Sequence, residues 1–161
     1  MTDFPNIYNG NYEKLFRVAM KLVGNRDSAS DIVHDVFVNF YIKQDEGHVI
    51  LYPSSWLYKV AINKCIDFLK HAKRFRSIGP VDNEKAEDPV DEKEQRIATV
   101  HSALSMLKPR ERVLMVLYSE GLSYKEIAES AGLRFSSVGK TISRTLEKLE
   151  NELKKQKYEL Y

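Results

Sequence analysis

The segment SYKEIAESAGLRFSSVGKTISRTLEKL, residues Ser123 to Leu149, decides the fold of the C-terminal half of this 161-residue chain. Its first four residues fit a capping box, in which the Ser123 hydroxyl accepts from the N–H of Glu126 and the Glu126 carboxylate accepts from the N–H of Ser123. A short helix should begin there and end at Gly132, because glycine tolerates the left-handed backbone that closes a helix. The segment therefore predicts a helix, a glycine turn and a second helix.

The second helix is predicted from Phe135–Ser136 onward. Its apolar side chains recur at spacings of four, four and three residues, which places them on one face: Val138, Ile142, Leu146 and Leu149. The open side carries three basic residues: Lys140, Arg144 and Lys148. Two short helices around a glycine turn, the second with a basic side, indicate a helix-turn-helix whose second helix enters a DNA major groove. The alternative is a helical hairpin that serves only as part of an all-helical core.

The composition is that of an ordinary globular protein, with 43% hydrophobic residues, 30% charged residues and a formal net charge of +2. The charge is unevenly distributed. Residues 63–76 hold five basic and one acidic side chain, residues 75–96 hold four basic and seven acidic ones, and residues 134–157 hold seven basic and three acidic ones. Two basic segments on either side of an acidic connector favour contact with a polyanion at two points. The alternative is that both segments are solvated helix faces.

The sequence lacks the groupings of side chains that most enzymes use for catalysis or metal binding. Cys65 is the only cysteine, so no intrachain disulfide can form, and the four histidines have no metal-ligand spacing. No nucleophile with a base and no Gly-rich phosphate loop is present. No apolar run approaches the roughly 20 residues that span a bilayer, and the N-terminus has no signal-peptide pattern. We expect a cytoplasmic protein that is not an enzyme, with no cofactor, metal, small-molecule substrate or membrane insertion.

Two helices are predicted at the start of the chain. The first covers Tyr8 to Leu22 and breaks at Gly24, and Asp27 or Ser28 should cap the second, which runs to about residue 41. The second has a broad apolar face and an opposite face with acidic and polar side chains: Asp31, His34, Asp35 and Asn39. An acidic stripe beside apolar side chains indicates a protein-docking surface or, with equal weight, a plain solvated face.

A third helix is predicted at Ser54 or Ser55, after a loop over residues 44–54. Its polar side is mostly basic: Lys59, Asn63, Lys64, Asp67, Lys70, Lys73 and Arg74. Such a side can follow a phosphate backbone, and the Asn63 amide can also bind a base edge. We assign Trp56 to the core and not to base stacking, because large aromatic side chains are mostly buried.

The acidic connector, residues 77–95, holds Gly79, Pro80 and Pro89 and predicts a flexible linker. After it come a helix through residues 97–107 and another that Pro109 opens and Gly121 ends. With the helix-turn-helix they would form a four-helix unit. We expect an all-α fold of two small helical domains, 8–76 and 96–155, joined by the linker 77–95.

The order of these parts resembles an extracytoplasmic-function (ECF) sigma factor, the small two-domain class of bacterial RNA polymerase initiation factors. The blocks Tyr12–Asp27, Asp31–Phe37 and Trp56–Asn63 are similar to sigma region 2. The blocks Leu107–Arg112 and Glu120–Ala128 are similar to sigma region 4. The resemblance spans about residues 8–153, and the joint order of the blocks is far more specific than any one of them.

The resemblance implies a division of labour between two regions. In region 2, four residues would dock on the clamp helices of the polymerase β′ subunit: Asp31, Asp35, Phe37 and Asn39. The loop 44–54 and the polar side of the third helix would recognise the −10 element and hold unstacked bases of the non-template strand. In region 4, the second helix of the helix-turn-helix would read the −35 element through seven residues: Phe135, Ser136, Ser137, Lys140, Thr141, Arg144 and Lys148. The implied partners are promoter DNA, the RNA polymerase core, including the β flap, and an anti-sigma factor.

Two residues of the second helix of the helix-turn-helix depart from the pattern usual in the family. Gly139 and Thr141 stand where the family usually has basic residues, so which side chains read bases is undecided, and a glycine inside a helix costs about 1 kcal/mol relative to alanine.

The second interpretation of the whole chain is a stand-alone helix-turn-helix transcriptional regulator, which would not need the acidic face of the second helix. A third is an adaptor for another protein, whose basic faces are merely solvated.

Overall fold

The computed structural model describes residues 3–76 and 91–159. Seven helices follow one another in these ranges: α1 (Phe4–Val23), α2 (Arg26–Asp45), α3 (Pro53–Arg76), α4 (Glu92–Ser105), α5 (Pro109–Ser119), α6 (Tyr124–Ala131) and α7 (Phe135–Glu159). No strand occurs among the described residues. The predicted all-α class is therefore confirmed.

The connection between α1 and α2 is a tight turn. Gly24 closes α1 in the left-handed conformation at φ 71°, and its N–H donates to the Met20 carbonyl at 2.9 Å. Asn25 caps α2, since its side-chain oxygen accepts from the N–H of Ser28 at 2.9 Å. The prediction of Asp27 as the cap was wrong, as was the choice of Ser28, because the cap position needs the extended backbone that Asn25 adopts.

The helix limits in this half differ slightly from the prediction. Helix α1 begins at Phe4, because Pro5 is well tolerated in a first turn. Helix α2 continues to Asp45, so the loop is confined to residues 46–52 before α3 begins at Pro53. Trp56 packs its edge against Phe40 with ring centroids 5.4 Å apart, in line with its assignment to the core.

Helix α4 begins inside the segment predicted as linker. The Asp91 carboxylate accepts from the N–H of Glu94 at 2.8 Å and caps α4, whose first turn carries Glu92 and Glu94. Part of the acidic excess that predicted a linker is thus an acidic first turn, which the helix dipole stabilises. Residues 77–90 of the predicted linker lie outside the described residues. The domain limits 8–76 and 96–155 stay a prediction.

The helix-turn-helix forms as predicted. The Ser123 hydroxyl accepts from the N–H of Glu126 at 3.1 Å, and the Glu126 carboxylate accepts from the N–H of Ser123 at 3.1 Å. Gly132 ends α6 at φ 70°. Pro109 opens α5, also as predicted.

The buried side of α7 was only partly predicted. Val138 and Ile142 are buried, but Leu146 is 38% exposed and Thr145 takes its place in the core at 1% exposed. Thr145 can be buried because its hydroxyl donates to the Thr141 carbonyl one turn earlier, at 2.7 Å.

The two halves of the chain pack against each other. Helix α1 contacts α5, and α3 contacts both α5 and α6. The buried apolar residues of α1–α3 and of α5–α7 form one contiguous cluster. Nevertheless Asn63 on α3 and Arg144 on α7 remain exposed. The molecule therefore buries an interface between its halves without sealing either predicted DNA-binding helix inside the core.

Candidate nucleic-acid interface

The solvent side of α7 presents most of the residues predicted to read the −35 element. Six of the seven are exposed, with Phe135 65% exposed: Phe135, Ser136, Ser137, Lys140, Arg144 and Lys148. Thr141 is half-buried, and its hydroxyl donates to the Ser137 carbonyl at 2.7 Å. Its proton is used inside the helix, so the exposed serines, Lys140 and Arg144 are better placed to donate to DNA.

Gly139 is not required by the packing of α7. A Cβ atom at this position would meet the Tyr124 ring at 3.6 Å, an ordinary van der Waals distance. An alanine at this position would stabilise the helix by roughly 1 kcal/mol, and nothing among the described residues needs the space that glycine leaves.

Lys148 is exposed and also forms an ion pair with α5. Its ammonium group lies 2.6 Å from the Glu111 carboxylate, at the start of α5. The hydrogen bond from Lys148 is the largest influence on Glu111 and holds the pKa of that carboxyl below its usual range. Lys148 therefore joins α7 to α5, and because its side chain is still exposed, its assignment to the DNA surface stays a prediction.

Helix α3 presents a second polar face. Four of the predicted −10 residues are exposed: Lys59, Asn63, Asp67 and Lys70. They follow one another at spacings of three or four residues, so they share one side of the helix. Lys64 lies about 100° around the helix from Asn63 and is half-buried. The side chains of Lys73 and Arg74 lie outside what the structure describes.

The loop before α3 borders an open cavity of about 620 Å³. Three side chains of this loop are highly exposed: Val49 (83%), Leu51 (77%) and Tyr52 (75%). Lys43 and Lys59 lie at the same cavity. Apolar and aromatic side chains beside two lysines provide stacking surfaces and phosphate contacts for single-stranded nucleic acid. The sequence indicated the loop but not these three residues.

The exposed side of α2 has a different character. Asp31, Asp35 and Asn39 are exposed as predicted. Phe37 is only 3% exposed and packs against the Tyr8 ring at a centroid distance of 4.7 Å. Its assignment to a docking surface was wrong, since the side chain belongs to the core.

Two apolar residues of the same stripe were missed by the sequence analysis. Val38 is 40% exposed and Ile42 is 45% exposed. They follow Asp35 at spacings of three and seven residues, which aligns them with Asp31 and Asp35 on one helix face. That spacing was the available signal. We call Asp31, Asp35, Val38 and Ile42 the α2 stripe.

An apolar cavity of about 460 Å³ opens between α4, α5 and α7. Side chains exposed at its walls include Ile97 (60%), Val100 (43%), Tyr118 (44%) and Leu146. Exposed apolar residues grouped in this way are typical of protein–protein contact surfaces.

Other kinds of site find no support in the described ranges. No group of three or more His, Cys, Asp or Glu side chains in residues 3–76 and 91–159 could hold a metal ion. No helix in the part of the chain that the structure describes has both the length and the apolar character of a membrane span.

Known families match both halves of the chain. Residues 7–75 match Sigma-70 region 2, and residues 97–149 match Sigma-70, region 4. The relatives include the ECF RNA polymerase sigma factor SigE of Mycolicibacterium smegmatis, 28% identical over 163 residues, covering 96% of this chain and 63% of the relative. They also include the RNA polymerase sigma factor SigV of Bacillus subtilis, 29% identical over 147 residues, covering 89% of this chain and 87% of the relative.

A solved structure has the same fold. It is the sigma factor RpoE in a complex with the anti-sigma factor NepR from Bartonella quintana, with a TM-score of 0.68, 23% identity and coverage of 96% of this chain and 98% of that chain. At this identity the likeness shows the fold alone. Because the two sigma regions match in order and the curated relatives match along almost the whole sequence, the chain belongs to the extracytoplasmic-function subfamily of sigma-70 type RNA polymerase sigma factors.

Proposed function

We propose that this chain directs bacterial RNA polymerase to promoters by binding the −35 element through α7 and the −10 element through α3 and the loop before it. The observation that carries the proposal is a pair of exposed helix faces rich in basic side chains, one in each sigma region. Two basic surfaces, one in each sigma region, suit a ligand that is a long polyanion. The protein acts in the cytoplasm, where the polymerase is, and it catalyses no reaction of its own.

Two surfaces without a nucleic-acid character would attach the chain to the polymerase core. The α2 stripe combines the apolar Val38 and Ile42 with acidic neighbours and would bind the clamp helices of the β′ subunit. The apolar cavity between α4, α5 and α7 would receive the β flap. Apolar centres with charged rims are the usual composition of such interfaces.

An anti-sigma factor is the expected regulatory partner. The structural relative from Bartonella quintana was solved with the anti-sigma factor NepR. In the present chain, the exposed apolar walls of the α4–α5–α7 cavity would be available to such a partner whenever the polymerase is absent.

Run-off transcription tests the function directly. Core RNA polymerase supplied with the purified chain should give discrete transcripts from a subset of genomic fragments and none without the chain. An absence of promoter-dependent transcripts from every fragment would refute the proposal.

Arg144→Ala should weaken recognition of the −35 element. Loss of an arginine that binds base edges or phosphates costs about 1–3 kcal/mol of DNA-binding free energy. The measurement is titration of a promoter fragment with holoenzyme. The control is Lys154→Ala, which removes an exposed positive charge near the end of the same helix. Equal affinity of the Arg144→Ala and control holoenzymes would place Arg144 outside the interface.

Asn63→Ala should mainly impair strand opening near −10. An amide bonded to a base edge contributes about 1–3 kcal/mol, and here that contribution would favour the opened strand. Permanganate footprinting of unpaired thymines measures the effect, with Asn151→Ala on α7 as the control. A normal footprint for Asn63→Ala would contradict the assignment.

A further inference from the structure

The fold of the free chain gives no reason for a glycine at position 139. A glycine inside a helix is less stable than an alanine, and the backbone of Gly139 is not in the left-handed region that favours glycine. A Cβ atom at this position would lie 3.6 Å from the Tyr124 ring, an ordinary van der Waals distance. An alanine would therefore fit and stabilise α7, so the missing side chain is best explained by a group that binds there.

Gly139 lies on the part of α7 that would enter the major groove. It is the fifth residue of α7, and the N-terminal turns of a recognition helix contact the base edges. Ser136 and Ser143, three residues before it and four residues after it, share its side of the helix and are exposed. Gly139 itself is half-buried, so a group on the DNA can reach its Cα atom from that side.

The Tyr124 ring forms one wall of a hollow over Gly139. The capping box between Ser123 and Glu126 fixes the first turn of α6, and Tyr124 is the first residue of that turn. Tyr124 is 45% exposed, so its ring borders Gly139 on one side and solvent on the other. Phe135, which is 65% exposed, lies one turn before Gly139 and only about 40° away around α7. We call Tyr124, Phe135 and Gly139 the Gly139 hollow.

The chemistry of the Gly139 hollow suits a methyl group. The space that a Cβ atom would fill has the size of one methyl group, and an aromatic ring borders it. The N–H of Gly139 lies beyond the first four of the helix, so it is already bonded inside α7 and cannot bind a phosphate. On the base edges of the major groove, the C5 methyl of thymine is the apolar group, among hydrogen-bond donors and acceptors.

We propose that the Gly139 hollow receives the C5 methyl group of one thymine in the −35 element, so that Gly139 determines specificity at that base pair. This inference deepens the proposed function and rests on it, since α7 must enter the major groove of the −35 element. A side chain at position 139 would fill the hollow and exclude the thymine methyl group. The base is thus recognised by burial of apolar surface and not by a hydrogen bond.

Replacement of thymine by deoxyuridine tests the contact, because uracil differs from thymine only by the missing methyl group. Duplexes are first selected from a random-sequence pool by the full-length chain, with and without core polymerase. Each thymine of the selected site is then replaced singly by deoxyuridine, and the affinity is measured by titration. One replacement should weaken binding of the parent chain roughly fourfold, the effect of losing one buried methyl group.

Gly139→Ala should remove the dependence on that thymine methyl group. The alanine methyl group would occupy the Gly139 hollow, so the variant should bind the thymine and deoxyuridine duplexes equally or prefer deoxyuridine. The same substitution should raise the midpoint of thermal unfolding by about 2–4 °C, because alanine favours the helix. A gain in stability together with a loss of discrimination distinguishes a base contact from a structural role of Gly139.

Asn151→Ala is the matched control for Gly139→Ala. It also replaces a poor helix former by alanine on α7, but its site is exposed and lies about three turns beyond the Gly139 hollow. This variant should keep the preference for thymine, whereas Tyr124→Ala, which removes the wall of the hollow, should reduce it.

Three results would overturn the inference: an unchanged preference for thymine in Gly139→Ala, a parent chain indifferent to every deoxyuridine replacement, or a pool in which no sequence is enriched. Failure of run-off transcription by the parent chain would instead refute the proposed function. The deoxyuridine test needs only a chain that binds DNA, so it would still report on the Gly139 hollow.

Discussion

Phe37→Ala is expected to destabilise the chain by about 3–5 kcal/mol, the usual cost of removing a buried phenylalanine side chain. The Phe37 ring is 3% exposed and lies among Phe4, Tyr8 and Tyr12, with centroid distances of 6.4, 4.7 and 6.5 Å. The cavity left behind would separate α1 from α2. Thermal unfolding followed by circular dichroism should show the midpoint falling by on the order of 10 °C.

The control for this prediction is Asn39→Ala, two residues further along α2 on its exposed side. A surface substitution of this kind should change the free energy of unfolding by no more than about 0.5 kcal/mol. If Phe37→Ala were as stable as Asn39→Ala and failed only to bind polymerase, Phe37 would be a docking residue after all.

Val38→Asp is expected to weaken binding to core polymerase by roughly 30-fold, because a residue at the centre of an interface contributes about 2 kcal/mol or more. Val38 is 40% exposed, so an aspartate there is hydrated in the free chain and the stability should change little. In the complex its carboxylate would be buried beside the acidic residues of the α2 stripe. Titration of labelled core polymerase with the full-length variant measures the loss.

Ser30→Asp provides the matched control for Val38→Asp. Ser30 is also exposed on α2 but lies about 80° away around the helix. Equal polymerase affinity of the two variants would remove the α2 stripe from the docking surface. Binding of the unmodified chain to promoter DNA, with no affinity for polymerase at all, would favour a stand-alone helix-turn-helix regulator.

Features that depend on residues close in sequence were predictable. The capping box at Ser123, the glycine end of α6 and the proline start of α5 all formed where expected. The exposure of four polar residues was also predicted correctly: Asp31, Asp35, Asn63 and Arg144. Each of these depends on one or two helical turns, where capping hydrogen bonds and the 3.6-residue period act irrespective of the rest of the fold.

Features that depend on a distant partner were not predictable in the same way. Lys148 had the spacing of a DNA contact, yet Glu111, 37 positions away, binds it. Phe37 had the position of a docking residue, yet rings from α1 enclose it. Leu146 had the period of a core residue, yet a threonine with an internally bonded hydroxyl is buried instead.

By itself the sequence determined that the chain is all-α, where its main turns lie, and that two polar faces rich in basic residues belong to sigma regions 2 and 4 in that order. The tertiary structure alone decided that these regions pack against each other, that Phe37 belongs to the core and that Lys148 pairs with Glu111. The reason is physical: helix period and capping act within a few residues, whereas an ion pair or an enclosed ring depends on how distant helices pack, which local spacing does not encode.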